Sequence, residues 1–142
     1  MRYSRKVNFL VFFIPLIVVA VDQGVKFFLE KKYPFLVSYN PSLGLGINLG
    51  IANSEFYLSL AVVLILIYVL IFRKISSKYY FSLMLILGGG VSNLMDRIFR
   101  PGVADYFILG SISIFNIADA IICVGLCLML ILVARGNQVI SD

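Results

Sequence analysis

The chain has 142 residues, of which 61% are hydrophobic and 13% charged, and its mean hydropathy is +1.02. That balance is too apolar for a soluble domain and points to one compact integral membrane domain. Histidine is absent, which excludes a Ser/His/Asp triad, a Cys/His pair and a His-ligated zinc site.

Basic residues give a net charge of +5, but they sit in short clusters between apolar runs. There they fix membrane orientation, and no nucleic-acid partner is expected. Four membrane-spanning helices are predicted, over residues 7–29, 56–72, 79–95 and 112–134. Each is close to the ~20 residues that cross a hydrocarbon core of ~30 Å. The first opens on Arg2, Arg5 and Lys6 and carries a weak small-residue pattern at Val18-Val19-Ala20. Its apolar character runs on through Leu29, so it is expected to be retained and not removed as a signal peptide.

Arg2, Arg5, Lys6, Arg73, Lys74, Lys78 and Arg135 fall on one side of these spans, against Lys31, Lys32 and Arg100 on the other. Both termini are then expected to be cytoplasmic. The outer segments, residues 30–55 and 96–111, contain "FLVSYNPSLGLGINLG" and the start of "RPGVADYFILGSISIF", which alternate and turn as short strands do. The expected fold class is therefore an all-α membrane protein with four transmembrane helices and a small β cradle on the outer face. A monomer is expected, because four helices can satisfy all the polar groups.

Within the spans, Gly88, Gly89 and Gly90 read as sites of close helix approach, since no Lys-Ser/Thr follows to make a phosphate loop. Cys123 and Cys127, one helical turn apart, read as small packing residues and not as a disulfide. The Phe and Tyr side chains are expected to face lipid or the interface.

The intramembrane polar residues converge on one layer: Asp22 and Lys26, then Asn93, Asp96 and Arg97, then Asn116 and Asp119, all at the outer ends of their spans. Asp105 lies within chain reach. Ionisable groups cost about 2.5 to 3.5 kcal/mol each at a helix centre on insertion scales, so such a cluster marks a bundle interior or a wet site. Asn93 with Asp96, and Asn116 with Asp119, are i,i+3 pairs on one helix face, and Asp22 with Lys26 is i,i+4, which reads as a structural pair. Asp96 also reads as structural, the alternative being an interfacial ion pair with Arg97. Taken singly, Asp119 could be a helix-end charge and Asp105 an exposed loop carboxylate.

Two carboxylates in a partly dry site cannot easily both ionise, so together they offer an acid and a base. Such a pair can activate water against a peptide carbonyl and protonate the departing amine without a metal or cofactor, while Asn and Arg groups orient the substrate. Two rival readings are a Ser/Lys hydrolase, with Lys26 as base and Ser38 or Ser42 as nucleophile, and a proton or cation transporter using the aspartates as a relay.

Five blocks carry a family resemblance: "VDQGVK" (21–26), "NPSLGLG" (40–46), "GGGVSNLMDR" (88–97), "VADY" (103–106) and "FNIADAIICVG" (115–125). In order and over nearly the whole chain, they resemble the lipoprotein signal peptidases, or signal peptidase II, membrane aspartyl proteases of bacteria. The resemblance implies that Asp105 and Asp119 are catalytic, that Asn40, Asn93, Arg97 and Asn116 line the substrate site, and that Asp96 holds helix ends together. It also implies the substrate, a prolipoprotein cleaved just before a diacylglyceryl-modified cysteine, and the setting, the outer face of the bacterial cytoplasmic (inner) membrane among its lipids. The second block departs from the family's Asn-x-Gly-Ala-Ala-Phe-Gly: Ser42, Gly44 and Leu45 replace Gly, Ala and Phe, and "NLGIA" (48–52) offers another register. In the third block, Gly90 and Ser92 stand for Ala and Gly, small for small.

Overall fold

A computed structural model describes residues 9–41, 54–72, 75–110 and 113–136 of the chain. It is mostly helical. A 3-10 turn at Phe9–Phe13 leads into α1 (Ile14–Lys32), followed by β1 (Ser38–Asn40), α2 (Ser54–Phe72), α3 (Tyr80–Phe99), strands β2 (Val103–Asp105), β3 (Phe107–Leu109) and β4 (Ser113–Phe115), and α4 (Ile117–Ala134). Pro15 sits in the first turn of α1, where its missing N–H has no partner to lose.

The helix α3 is the centre of the bundle and packs against α1, α2 and α4. Its glycines explain how closely. A methyl group at Gly88 would lie 2.9 Å from the Pro15 backbone on α1, and one at Gly89 would lie 2.7 Å from the Ala118 carbonyl oxygen on α4. Gly125 answers from α4, where a Cβ would meet Ser82 O at 2.9 Å. Close backbone approach of this kind is what small residues provide between helices in a membrane.

The other three helices turn large apolar side chains outward, including Leu16 and Ile17 on α1, Val62 and Ile65 on α2, and Leu130 on α4. Among the described residues, Phe9–Lys32, Glu55–Phe72 and Ile117–Ala134 are long and apolar enough to cross a membrane. Such outward-facing apolar surface is a membrane protein's and not a soluble monomer's. The less apolar α3 hides its polar groups, with Ser82, Ser92, Asn93 and Asp96 all buried.

Two small antiparallel sheets are found among the described residues. β1 pairs with β2 in the register Ser38↔Asp105, Tyr39↔Ala104 and Asn40↔Val103, and β3 pairs with β4. Gly110, at φ +59, takes the left-handed conformation just after β3 that other residues resist.

Three expectations need correction. The last helix begins at Ile117 and not near residue 112, because Ser113–Phe115 is spent on β4. Cys123 and Cys127 are exposed on α4 and do not pack between helices. Tyr79 is completely buried and forms a core cluster with Ile75 and Leu83, so the aromatic residues are not all peripheral. Leu66, Val69, Leu70, Met129 and Leu132 pack against that cluster. The polar layer lies further along α3: Asn93 is 14 residues beyond Tyr79, about 21 Å at the rise of an α-helix.

Candidate active site

The head of α4 explains why this apolar chain carries buried carboxylates. The first N–H groups of a helix have no partner within it, and where they are dry they need side chains. Here each is met from a different element. Ile117 N donates to the Tyr106 hydroxyl at 3.3 Å, Ala118 N to Asp22 Oδ1 at 3.0 Å, and Asp119 N to Asn116 Oδ1 at 2.9 Å. Asp119 Oδ2 accepts in turn from Asn116 N at 3.2 Å, completing a capping box.

Beneath this lies a buried charge cluster. Lys26 Nζ is 2.6 Å from both Asp22 Oδ2 and Asp96 Oδ2, and all three side chains are inaccessible to solvent. Asp22 Oδ2 also accepts from Ser92 Oγ at 2.6 Å, so one carboxylate joins α1, α3 and α4. Asp96 accepts from Gln23 Nε2 and Arg100 NH1, both at 2.8 Å, and from Ala104 N at 3.1 Å. Asp96 thereby fixes β2 one residue before Asp105. Together with its ion pair to Lys26, these bonds fit the structural reading of Asp96.

Above the cluster, Asp105 and Asp119 arrive from β2 and α4 and are linked by two buried amides. Asn116 Nδ2 donates to Asp105 Oδ1 at 2.8 Å and to Asn93 Oδ1 at 3.2 Å, while Asn93 Nδ2 donates to Asp119 Oδ1 at 2.7 Å. Asn40 Nδ2 reaches Asp105 Oδ2 from β1 at 3.3 Å. Asn40 has little room to retreat, because a Cβ on Gly102 would lie only 2.6 Å from its carbonyl oxygen. Asp105 is buried, so it is not an exposed loop carboxylate.

Burial, and then the negative charge of Asp119, push the Asp105 carboxyl up to about 6, against the Asn116 and Asn40 amides that favour its charged form. The two carboxylates therefore sense one another.

Arg97 NH1 donates to Asn93 O at 3.2 Å. With Asn93 it borders a cavity of about 360 Å³, whose other walls are Leu58, Ser59, Val62 and Val63 of α2, Gly90 of α3 and Ile122 of α4. Its lining is mostly apolar, with Ser59, Asn93 and Arg97 as the polar members. Among the described residues, no group of three or more potential metal ligands comes together.

All nine polar residues singled out in the sequence thus occur in one connected region. The expected substrate-loop residues Ser42, Gly44 and Leu45, and the alternative register at 48–52, lie outside the described residues. Sequence reasoning missed Gln23, Ser92, Arg100 and Glu30. A signal existed for two of them: Ser92, Asp96 and Arg100 follow i,i+4 spacing and so share a face of α3.

The fold is that of a membrane protein that gathers its polar side chains into one buried cluster. A family model described as Signal peptidase (SPase) II matches residues 14–135. The lipoprotein signal peptidase of Caldicellulosiruptor bescii is 31% identical over 119 residues, covering 80% of this chain and 79% of its own. That of Brucella ovis is 30% identical over 144 aligned residues, covering 84% and 86%. The chain belongs to the signal peptidase II family, the proteases of lipoprotein processing.

Two solved structures share the fold. One, described as a bacterial membrane enzyme structure by the in meso method at 2.3 Å resolution, has a TM-score of 0.79 and 20% identity, with 95% of this chain and 93% of the other covered. Another of the same description at 1.9 Å has a TM-score of 0.71 and 18% identity, with 96% and 100% covered.

Proposed function

We propose that this chain removes signal peptides from prolipoproteins by activating water between Asp105 and Asp119, cutting on the N-terminal side of a diacylglyceryl-modified cysteine. The observation that carries the reading is the amide link between the two carboxylates: Asn116 holds Asp105 while sharing a capping box with Asp119. With one proton between them, the ionised carboxylate takes a proton from water as the water oxygen attacks the scissile carbonyl. The protonated carboxyl then donates to the departing amide nitrogen as the C–N bond breaks. Each group ends in the other's starting state, and no metal or cofactor is needed.

In this scheme Asn40, Asn93, Arg97 and Asn116 are the substrate-binding layer, with Asn93 and Asn116 also orienting the aspartates. Arg97, which lines the cavity beside Asn93, steadies negative charge on the attacked carbonyl. Asp22, Lys26 and Asp96 are structural and hold the helix heads at a fixed distance. The cavity between α2, α3 and α4 suits an apolar segment entering sideways from lipid. We further propose that α3 is a fourth span, that both termini are cytoplasmic, and that the site works as a monomer at the outer face of the bacterial inner membrane.

The rival with Lys26 as a catalytic base is disfavoured by geometry. Its ammonium is enclosed by Asp22 and Asp96, with Asn93 Oδ1 at 3.5 Å, and its hydroxyl neighbour Ser92 is turned to Asp22. A transport relay is disfavoured because the apolar cluster around Tyr79 occupies the other end of α3 from the polar layer.

The substrate assignment is tested by presenting purified protein with one prolipoprotein in two forms, with and without the diacylglyceryl group. Mass spectrometry is expected to find cleavage of the modified form alone, with a product beginning at the modified cysteine. Equal cleavage of both forms, or a cut elsewhere, would contradict it.

A further inference from the structure

Three side chains that the reaction does not use close a circuit around the strand pair carrying Asn40 and Asp105. The Tyr39 hydroxyl donates to Glu30 Oε1 at 3.0 Å. Glu30 is gripped by Arg100, with Nε at 2.6 Å from Oε1 and NH2 at 3.1 Å from Oε2. Arg100 NH1 continues to Gln23 Oε1 at 2.9 Å and to Asp96 Oδ1 at 2.8 Å. Asp96 Oδ2 accepts from Ala104 N at 3.1 Å, and Ala104 is the register partner of Tyr39. The circuit thus returns to its start.

Its position matters because each end adjoins a residue of the site. Tyr39 immediately precedes Asn40, and Ala104 immediately precedes Asp105. A two-stranded ladder of three residues a side is marginal alone, and among the described residues β1 has no other strand beside it. The Asn40–Asp105 contact, at 3.3 Å, is at the long end of hydrogen-bond distances and is easily lost when a strand moves.

We propose that Tyr39, Glu30 and Arg100 are positioning residues, a clasp that fixes β1 and β2 against α1 and α3 and thereby keeps the Asn40 amide on Asp105. The inference rests on Asp105 being one of the two reacting carboxylates. Among the described residues, the charged groups near Asp105 include Asp119 from α4, Lys26 from α1, and Arg97 and Asp96 from α3, the last bonded to the preceding residue Ala104. None of these is altered when the clasp is opened at Tyr39, so a change at Asp105 reports the Asn40 amide.

The test follows the Asp105 carboxyl by infrared absorption in substrate-free protein, assigned by difference from Asp105→Asn. Tyr39→Phe removes one partly exposed hydroxyl and leaves the buried charges paired, so folding is expected to survive; Glu30→Gln is the second variant. Both are expected to raise the midpoint of Asp105 by about half a pH unit, as Asn40→Ala does, because a donor to the charged form is lost. Tyr39→Phe combined with Asn40→Ala is expected to add no further shift. In cleavage, kcat/KM of the clasp variants is expected to fall by about three- to tenfold.

A midpoint unchanged by Tyr39→Phe and Glu30→Gln but moved by Asn40→Ala would overturn the proposal, leaving the clasp a surface stabiliser. The titration needs no substrate. Wild-type protein that fails to cleave therefore counts against the reaction assignment, and the infrared result still decides the clasp.

Discussion

Asn116 donates its side-chain amide to Asp105 at 2.8 Å, and with its other face it caps the helix on which Asp119 sits. One residue therefore sets both the start of α4 and the geometry of the carboxylate pair. Asn116→Ala is expected to lower thermal stability by about 1 kcal/mol through loss of the cap. Asn116→Asp retains a capping oxygen but sets a third carboxylate against Asp105. Thermal unfolding with parallel cleavage assays should find Asn116→Asp the less stable of the two variants, because its buried carboxylate faces Asp105 Oδ1 and Asn93 Oδ1 without a donor, and both strongly impaired.

The protonation of Asp105 is expected to depend on Asp119 in a known direction. Asp119→Asn removes a like charge, so the Asp105 midpoint should fall from about 6, yet stay above the ordinary 3.8 because burial is the larger cause. A midpoint unmoved by Asp119→Asn in an infrared or carbon NMR titration would mean that the two groups do not interact.

That same midpoint gives a pH dependence of stability. An acid whose folded midpoint lies above its unfolded value contributes stability that is fully present below 3.8 and is lost as pH rises through about 6. Between those limits, wild-type protein in detergent should gain stability on acidification relative to Asp105→Asn, as followed by thermal unfolding. The opposite slope would refute the assignment of a raised Asp105.

Removing the buried cation should be severe. Lys26→Met leaves Asp22 and Asp96 facing one another without their shared ammonium, and breaking a buried ion cluster on one side costs about 3 to 5 kcal/mol. Expression and unfolding measurements are expected to find this variant far less stable than Asp119→Asn.

The glycines of α3 should separate packing from substrate access. Gly89→Ala drives a methyl into the Ala118 carbonyl, 2.7 Å away, and should cost about 1 to 3 kcal/mol while displacing α4. Gly90 faces the cavity, and its nearest neighbour, Val63 Cγ2, is at an ordinary 3.4 Å. Gly90→Leu should therefore leave the unfolding temperature near wild type and raise KM.

Much of this site was legible because charge is so expensive in an apolar chain that each polar residue had to be explained. Asp22, Lys26, Asn93, Asp96, Asn116 and Asp119 stood out for that reason, and helical spacing paired them. Hydropathy alone could not divide Ser113–Phe115 from α4, since an apolar strand and an apolar helix turn have the same composition. It also could not tell that the Tyr79 ring would be buried, because lipid and protein interior favour the same side chain. Gln23 and Arg100 were hidden for a different reason: their partners, Ser92 and Glu30, are some 70 residues away in sequence and meet only after α1 packs on α3.

The most direct measurement is cleavage of a diacylglyceryl-modified prolipoprotein by the purified protein in detergent, comparing wild type with Asp105→Asn and Asp119→Asn. Both isosteric variants are expected to fold, as judged by unfolding temperature, and to lose at least about a hundredfold in kcat, the scale of a missing acid or base. If both still cut at the wild-type rate, Asp119 is only a helix cap, Asp105 only a strand anchor, and the water-activating pair is wrong.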